Sequence, residues 1–87
     1  MNGTYEIEYH TDTFLPCERE VVTVDGRSQR NNRTPVPLIE YARAGAQRRM
    51  AWRFRIHAIK PCHITATKAT PTTAYLVFEE KMEHHED

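Results

Sequence analysis

No stretch of this chain approaches the roughly 18 consecutive apolar residues that a membrane-spanning helix needs. The opening Met1-Asn2-Gly3-Thr4-Tyr5-Glu6 has neither the basic start nor the apolar run of a secretory leader. No membrane role is therefore expected, and a cytoplasmic location is. Cysteine is scarce as well. Cys17 and Cys62 are too few for a secreted disulfide scaffold, and neither sits in the C-x-x-C or H-x-x-x-H spacing from which zinc sites are built. Each follows a proline and Cys62 precedes His63, yet two reduced thiols near strand ends are the expectation, with no metal and no other cofactor. Serine is scarcer still: Ser28 stands among arginines with no histidine near it, which offers no held nucleophile and base. The terminal Glu83-His84-His85-Glu86-Asp87 reads as a solvated end and not as a chelating site. These absences together make an enzyme the unexpected outcome.

Charge is plentiful, and it is segregated. Twelve basic and 12 acidic residues cancel to a formal net charge of zero over 87 residues. Residues 1–25 hold Glu6, Glu8, Asp12, Glu18, Glu20 and Asp25 against Arg19 alone. Residues 26–68 reverse the balance, with Arg27, Arg30, Arg33, Arg43, Arg48, Arg49, Arg53, Arg55, Lys60 and Lys68 against Glu40, and residues 69–87 are acidic again. The basic block favours arginine, whose planar fork matches carboxylate or phosphate better than a lysine ammonium does.

The apolar pattern gives the elements. Over residues 4–10, Tyr5, Ile7 and Tyr9 alternate with Glu6, Glu8 and His10, the period of a half-buried strand. Residues 19–24 are rich enough in valine for a second strand, closed by Asp25-Gly26, so the pair forms a hairpin. Residues 27–33 are polar throughout and read as an exposed, mobile loop. Thr34 followed by Pro35 predicts a helix N-cap with proline in the first helical position. Leu38, Ile39, Ala42, Ala46 and Met50 then share one helical stripe, weakened by Gly45. From residue 52, Trp52, Phe54, Ile56 and Ala58 alternate with Arg53, Arg55 and His57 in the clearest strand of the chain, which Pro61 interrupts. Residues 64–69 form a further candidate strand, and residues 74–80 form the last, with Leu76 and Phe78 opposing Tyr75 and Val77.

The order is β-β-α-β, extended by a C-terminal strand or hairpin. Its expected form is an α+β fold, an antiparallel sheet with one helix packed on one face. A single domain would span residues 1–81, with residues 82–87 as a fraying charged tail. If the first and third strands are neighbours, Glu6 and Glu8 lie opposite Arg53 and Arg55 on the open face. Arg27, Arg30 and Arg33 on the loop, with Arg48 and Arg49 at the helix end, would join them in one cationic surface. Arg27, Arg30, Arg33, Arg53, Arg55, Glu6 and Glu8 are thus the candidate partner-binding residues. Zero net charge, with acids set beside the arginines on the open face, favours a host protein or ribonucleoprotein complex as the partner. The alternative is a nucleic-acid-binding accessory domain that uses the same arginines on phosphates. Either would act as a monomer or a homodimer.

At Trp52-Arg53-Phe54-Arg55-Ile56-His57-Ala58-Ile59-Lys60-Pro61-Cys62, following a hairpin and a helix, the chain resembles small bacteriophage proteins that neutralise host machinery. It is similar in layout to the T7-type inhibitors of bacterial RNA polymerase, whose last strand also ends in a basic residue, proline and cysteine, here Lys60, Pro61 and Cys62. The resemblance covers about residues 4–62. The chain departs from it in having Ala58 where a second arginine would stand, and in adding residues 63–87. Anti-CRISPR proteins of similar size also present charge on a minimal sheet. The resemblance implies a phage-encoded inhibitor acting in the host cytoplasm.

Overall fold

A computed structural model describes residues 2–11, 16–25, 29–30, 34–60, 64–65, 68–69 and 73–83. The element order is β1 (Asn2–His10), β2 (Glu18–Asp25), β3 (Gln29–Arg30), β4 (Thr34–Pro35), α1 (Val36–Arg48), β5 (Arg53–Lys60), β6 (Ile64–Thr65), β7 (Lys68–Ala69) and β8 (Thr73–Lys81). Four long strands make one antiparallel sheet in the order β2-β1-β5-β8, and α1 covers one of its faces. This is the expected α+β architecture. The C-terminal strand β8 pairs with β5 within the chain.

Alternation in β1 and β5 decides which residues enter the core. Tyr5, Ile7 and Tyr9 from β1, with Phe54 and Ile56 from β5, are buried against Leu38, Ile39, Ala42 and Ala46 of α1. Val22, Val24, Ala58, Val77, Phe78 and Met82 pack around that centre. The odd-numbered residues of β5, Arg53, Arg55 and His57, therefore point to the opposite, open face together with Glu6, Glu8 and His10.

Several details depart from the expectations. Thr34 does not cap the helix: it is buried, and its hydroxyl donates to the Val77 carbonyl at 3.3 Å. Pro35 is the N-cap, in extended conformation, and Pro37 occupies the first turn, where a missing N–H breaks no hydrogen bond. Met50 leaves the stripe altogether and is 79% exposed, because the helix ends before it. Met50 takes a left-handed φ of 57°, its N–H donating to Gln47 O and that of Ala51 to Ala46 O, a Schellman ending with methionine where glycine is customary. Gly45 serves packing as well as weakening the helix, since a Cβ there would stand 2.5 Å from the Tyr9 hydroxyl.

The expected alternation in the last strand also fails. Phe78 stands opposite Ile56 while Leu76 stands opposite His57, so Val77 is an extra residue in β8. This bulge turns Leu76 away from the core face, where it is 39% exposed. Of the loop expected at 27–33, the described residues Gln29 and Arg30 form a short strand that pairs with Pro35 and Thr34. In place of one strand at 64–69, Ile64 and Thr65 pair with Ala69 and Lys68. Met82 belongs to the domain and not to a tail, with its N–H bonded to Trp52 O at 2.9 Å and its side chain against the core. The interruption at Pro61, Cys62 and the end at 84–87 lie outside the described residues. No described helix is long and apolar enough to cross a membrane.

Candidate functional site

All four long strands carry open-face charges, and register sets their partners. On the β1–β5 pair, Glu8 stands opposite Arg55, Glu6 opposite His57 and His10 opposite Arg53. On the other side Glu8 faces Arg19 of β2, and beyond β5 Arg55 faces Glu79 of β8. Opposite charges directly across a ladder contribute only about 0.2–1 kcal/mol each, so they fix register more than stability.

Glu8 is the hub. It is 8% exposed, and four basic groups converge on its carboxylate. His10 Nε2 lies 2.7 Å from Oε1, Arg19 3.5 Å from Oε2, and Arg55 and His57 each 3.9 Å from Oε1. Burial alone would raise the Glu8 pKa, but the His10 hydrogen bond and the attraction of His10, His57 and Arg19 outweigh it and hold the group below its ordinary value. Glu79 forms a second acidic point, 3.3 Å from Arg53 and 3.5 Å from Arg55, and Glu6 lies 3.5 Å from Arg19.

Trp52 joins this array and not the core stripe to which its spacing assigned it. The Arg53 guanidinium stacks 4.6 Å from its ring centroid, and the His10 ring meets it edge-on at 5.8 Å. Arg53 Nη2 also lies 3.3 Å from His10 Nδ1. A guanidinium N–H only donates, so Nδ1 accepts and Nε2 carries the proton that His10 gives to Glu8. Three nitrogens here, Nε of Arg53 and of Arg55 and Nε2 of His57, have no solvent contact and no hydrogen-bond partner among the described residues.

The ligand atoms of Glu8, His10 and Cys17 lie within 4.8 Å of one another, and Cys17 is a free thiol. A metal ion would need His10 Nε2 deprotonated, with Nδ1–H turned toward an acceptor. That nitrogen instead faces Arg53, and the guanidiniums of Arg19 and Arg55 flank the carboxylate. The surroundings of this cluster disfavour a cation, and it is better described as a carboxylate shared among basic groups.

Of the candidate residues, Glu6, Glu8, Arg53 and Arg55 come together on the open face. Arg30 lies in β3, with its side chain outside the described residues, as are Arg27 and Arg33 entirely. Arg49 does not extend this surface. It sits on the helix side of the sheet, 4.1 Å over the Tyr9 ring, and pairs with Glu18. Sequence reasoning missed His10, Arg19, Trp52, His57 and Glu79 as members. The signal for His10, His57 and Glu79 was their shared parity with Glu8, Arg53 and Arg55, whereas nothing in the sequence separated Trp52 from the core positions. The chain matches no known protein family, and neither a characterised protein nor a solved structure is significantly similar to it.

Proposed function

We propose that this chain is a non-enzymatic binding protein that docks on a partner protein through the open face, with Glu6, Glu8, Arg53 and Arg55 at its centre and Trp52 as an aromatic anchor. The observation that carries this reading is a contrast between the two faces. On the helix side, Arg43 grips Glu80 by two bonds of 2.7 and 2.8 Å, closing α1 onto β8. On the open face the arginine–carboxylate distances are 3.3–3.9 Å, and the Arg53 and Arg55 side chains stay 24% and 32% exposed. Short bidentate pairs hold a fold together, whereas long, imperfect ones leave donors that an incoming carboxylate or carbonyl can satisfy. Arginine and tryptophan are also the residue types that most often dominate protein interfaces.

The nucleic-acid alternative fares less well on the same geometry. Arg19, Arg43, Arg49, Arg53 and Arg55 each lie within 4.0 Å of a carboxylate, which cancels the field that would gather phosphates. A phage origin, and inhibition of a host complex as the consequence of docking, rest on the resemblance at residues 52–62.

The test is affinity capture from host lysate by wild type and by Arg53→Gln/Arg55→Gln, with folding checked by circular dichroism. Glutamine is preferred to charge reversal, because an acid at either position would stand against Glu8 or Glu79. Capture of one protein by wild type and its loss in the double variant support the reading. Equal capture by both, or salt-steep binding of generic DNA or RNA in a mobility-shift assay, defeats it.

A further inference from the structure

We infer that the outer edge of β2 is a self-association site, across which a second copy of this chain adds antiparallel to make a continuous eight-stranded sheet. The inference does not depend on the partner proposed above. The two edges of the sheet are treated differently. The β8 edge is broken by the bulge at Val77, whose carbonyl is occupied by Thr34. The β2 edge has no such device among the described residues: Glu18–Asp25 pairs with β1 residue for residue, without bulge or proline, and Val21 is 61% exposed. A long regular edge is a template for another strand unless something blunts it.

The sequence of that edge is complementary to itself in one register. An isologous pairing across a two-fold axis normal to the sheet keeps both helices on the same side, so only residues of like facing can stand opposite each other. Glu20, Val22 and Val24 face the helix side, while Arg19, Val21, Thr23 and Asp25 face the open side. Centring the axis on Val22 sets Val22 against Val22 of the second copy, Val21 against Thr23, and Arg19 against Asp25 at both ends. Moving the centre to Val21 or Thr23 loses both ion pairs, and moving it to Glu20 sets acid against acid. Charge complementarity thus selects both the occupant and the register. On the helix side the axis adjoins an apolar groove of about 370 Å³, lined by Val22, Val24, Pro37, Leu38 and Tyr41, which the second copy would extend. The open faces of the two copies would also run on into one surface.

The experiment combines sedimentation with cysteine cross-linking in a Cys17→Ser/Cys62→Ser chain. Opposed residues of an antiparallel pair lie about 4.5–5.5 Å apart at Cα, within disulfide reach, whereas the offset positions do not. The expected results are a concentration-dependent dimer and an oxidised cross-link from Val22→Cys but not from Val21→Cys or Val24→Cys. Asp25→Arg sets arginine against Arg19 and should raise the dimer dissociation constant about tenfold. Arg19→Gln/Asp25→Arg removes that repulsion without setting an acid against Glu8 and should recover part of the loss, and this arm answers the question even if a cysteine variant folds poorly. A chain that stays monomeric at millimolar concentration overturns the inference, as does a dimer that cross-links through Val21→Cys or Val24→Cys but not Val22→Cys.

Discussion

Replacing Gly45 by alanine ought, on helix propensity alone, to stabilise α1 by about 1 kcal/mol. The fold reverses that sign. A Cβ at this position would stand 2.5 Å from Tyr9 Oη, 3.0 Å from its Cζ and 3.1 Å from Arg49 Nη1. The hydroxyl has little freedom to retreat: the Tyr9 ring is fully buried, capped by Arg49 at 4.1 Å and bonded to Glu20 at 3.4 Å. Overpacking of this kind costs about 1–3 kcal/mol, so after the propensity gain the expected net loss is about 1 kcal/mol. For a domain of this size that lowers the melting temperature by about 4–8 °C. Thermal and urea unfolding of Gly45→Ala, Tyr9→Phe and the double variant make the decisive cycle. Removing Oη relieves the closest contact, so Gly45→Ala should be at least about 1 kcal/mol less costly in the Tyr9→Phe background. A higher melting temperature for Gly45→Ala with no coupling to Tyr9 would refute the reasoning.

Met50→Gly is the mirror case: glycine relieves the left-handed backbone at an exposed position and should stabilise the protein by about 1 kcal/mol, seen as a rise in the urea midpoint. Burial, and after it the neighbouring Glu20, push the Tyr9 pKa up to about 12 from 10.0. The folded state thus favours the neutral phenol, an advantage present below pH 10 and lost as the pH rises toward 12, by about 2–3 kcal/mol in all. Alkaline unfolding should be shallower in Tyr9→Phe. Glu8 is shifted the opposite way, so the stability it contributes is present above its unfolded value of 4.5 and is lost as the pH falls through the lower folded value. Glu8→Gln should be less stable at neutral pH, with a flatter acid limb in urea titrations at stepped pH. Thr34→Val leaves the Val77 carbonyl without its donor and should cost about 1–2 kcal/mol in chemical unfolding.

Binary pattern carried the fold, because side-chain parity in β1 and β5 leaves one way to bury Tyr5, Ile7, Tyr9, Phe54 and Ile56 together. The same parity brought Glu8 opposite Arg55 and so made half of the candidate site legible. What the sequence hid was aperiodic. The bulge at Val77 inserts one residue into an alternating run and reassigns Leu76, with no proline or glycine to signal it. Thr34 has the chemistry of an N-cap, but its hydroxyl is claimed by a carbonyl 43 residues away, a contact that local reading does not contain. Met50 continues a helical stripe in sequence while the Schellman turn has already ended the helix. Trp52 sits one residue before β5, where strand parity ceases to govern direction, and it turns to Arg53 and His10.

The composition of the open face bears on how it would bind. Most interfaces place apolar residues at the centre and charges at the rim. Here the centre is the Glu8 array, and exposed Val21 and Leu76 stand at its margins on β2 and β8. Charges already paired within the chain add little net affinity when a partner re-pairs them, because each exchange trades one ion pair for another and both sides are desolvated. They do penalise a partner whose charges are misplaced, since a like charge set against Glu8 or Arg55 costs several kcal/mol. On this face the charged centre would therefore decide which partner is accepted and in what orientation. Affinity would have to come from burying Trp52 and the flanking aliphatic residues.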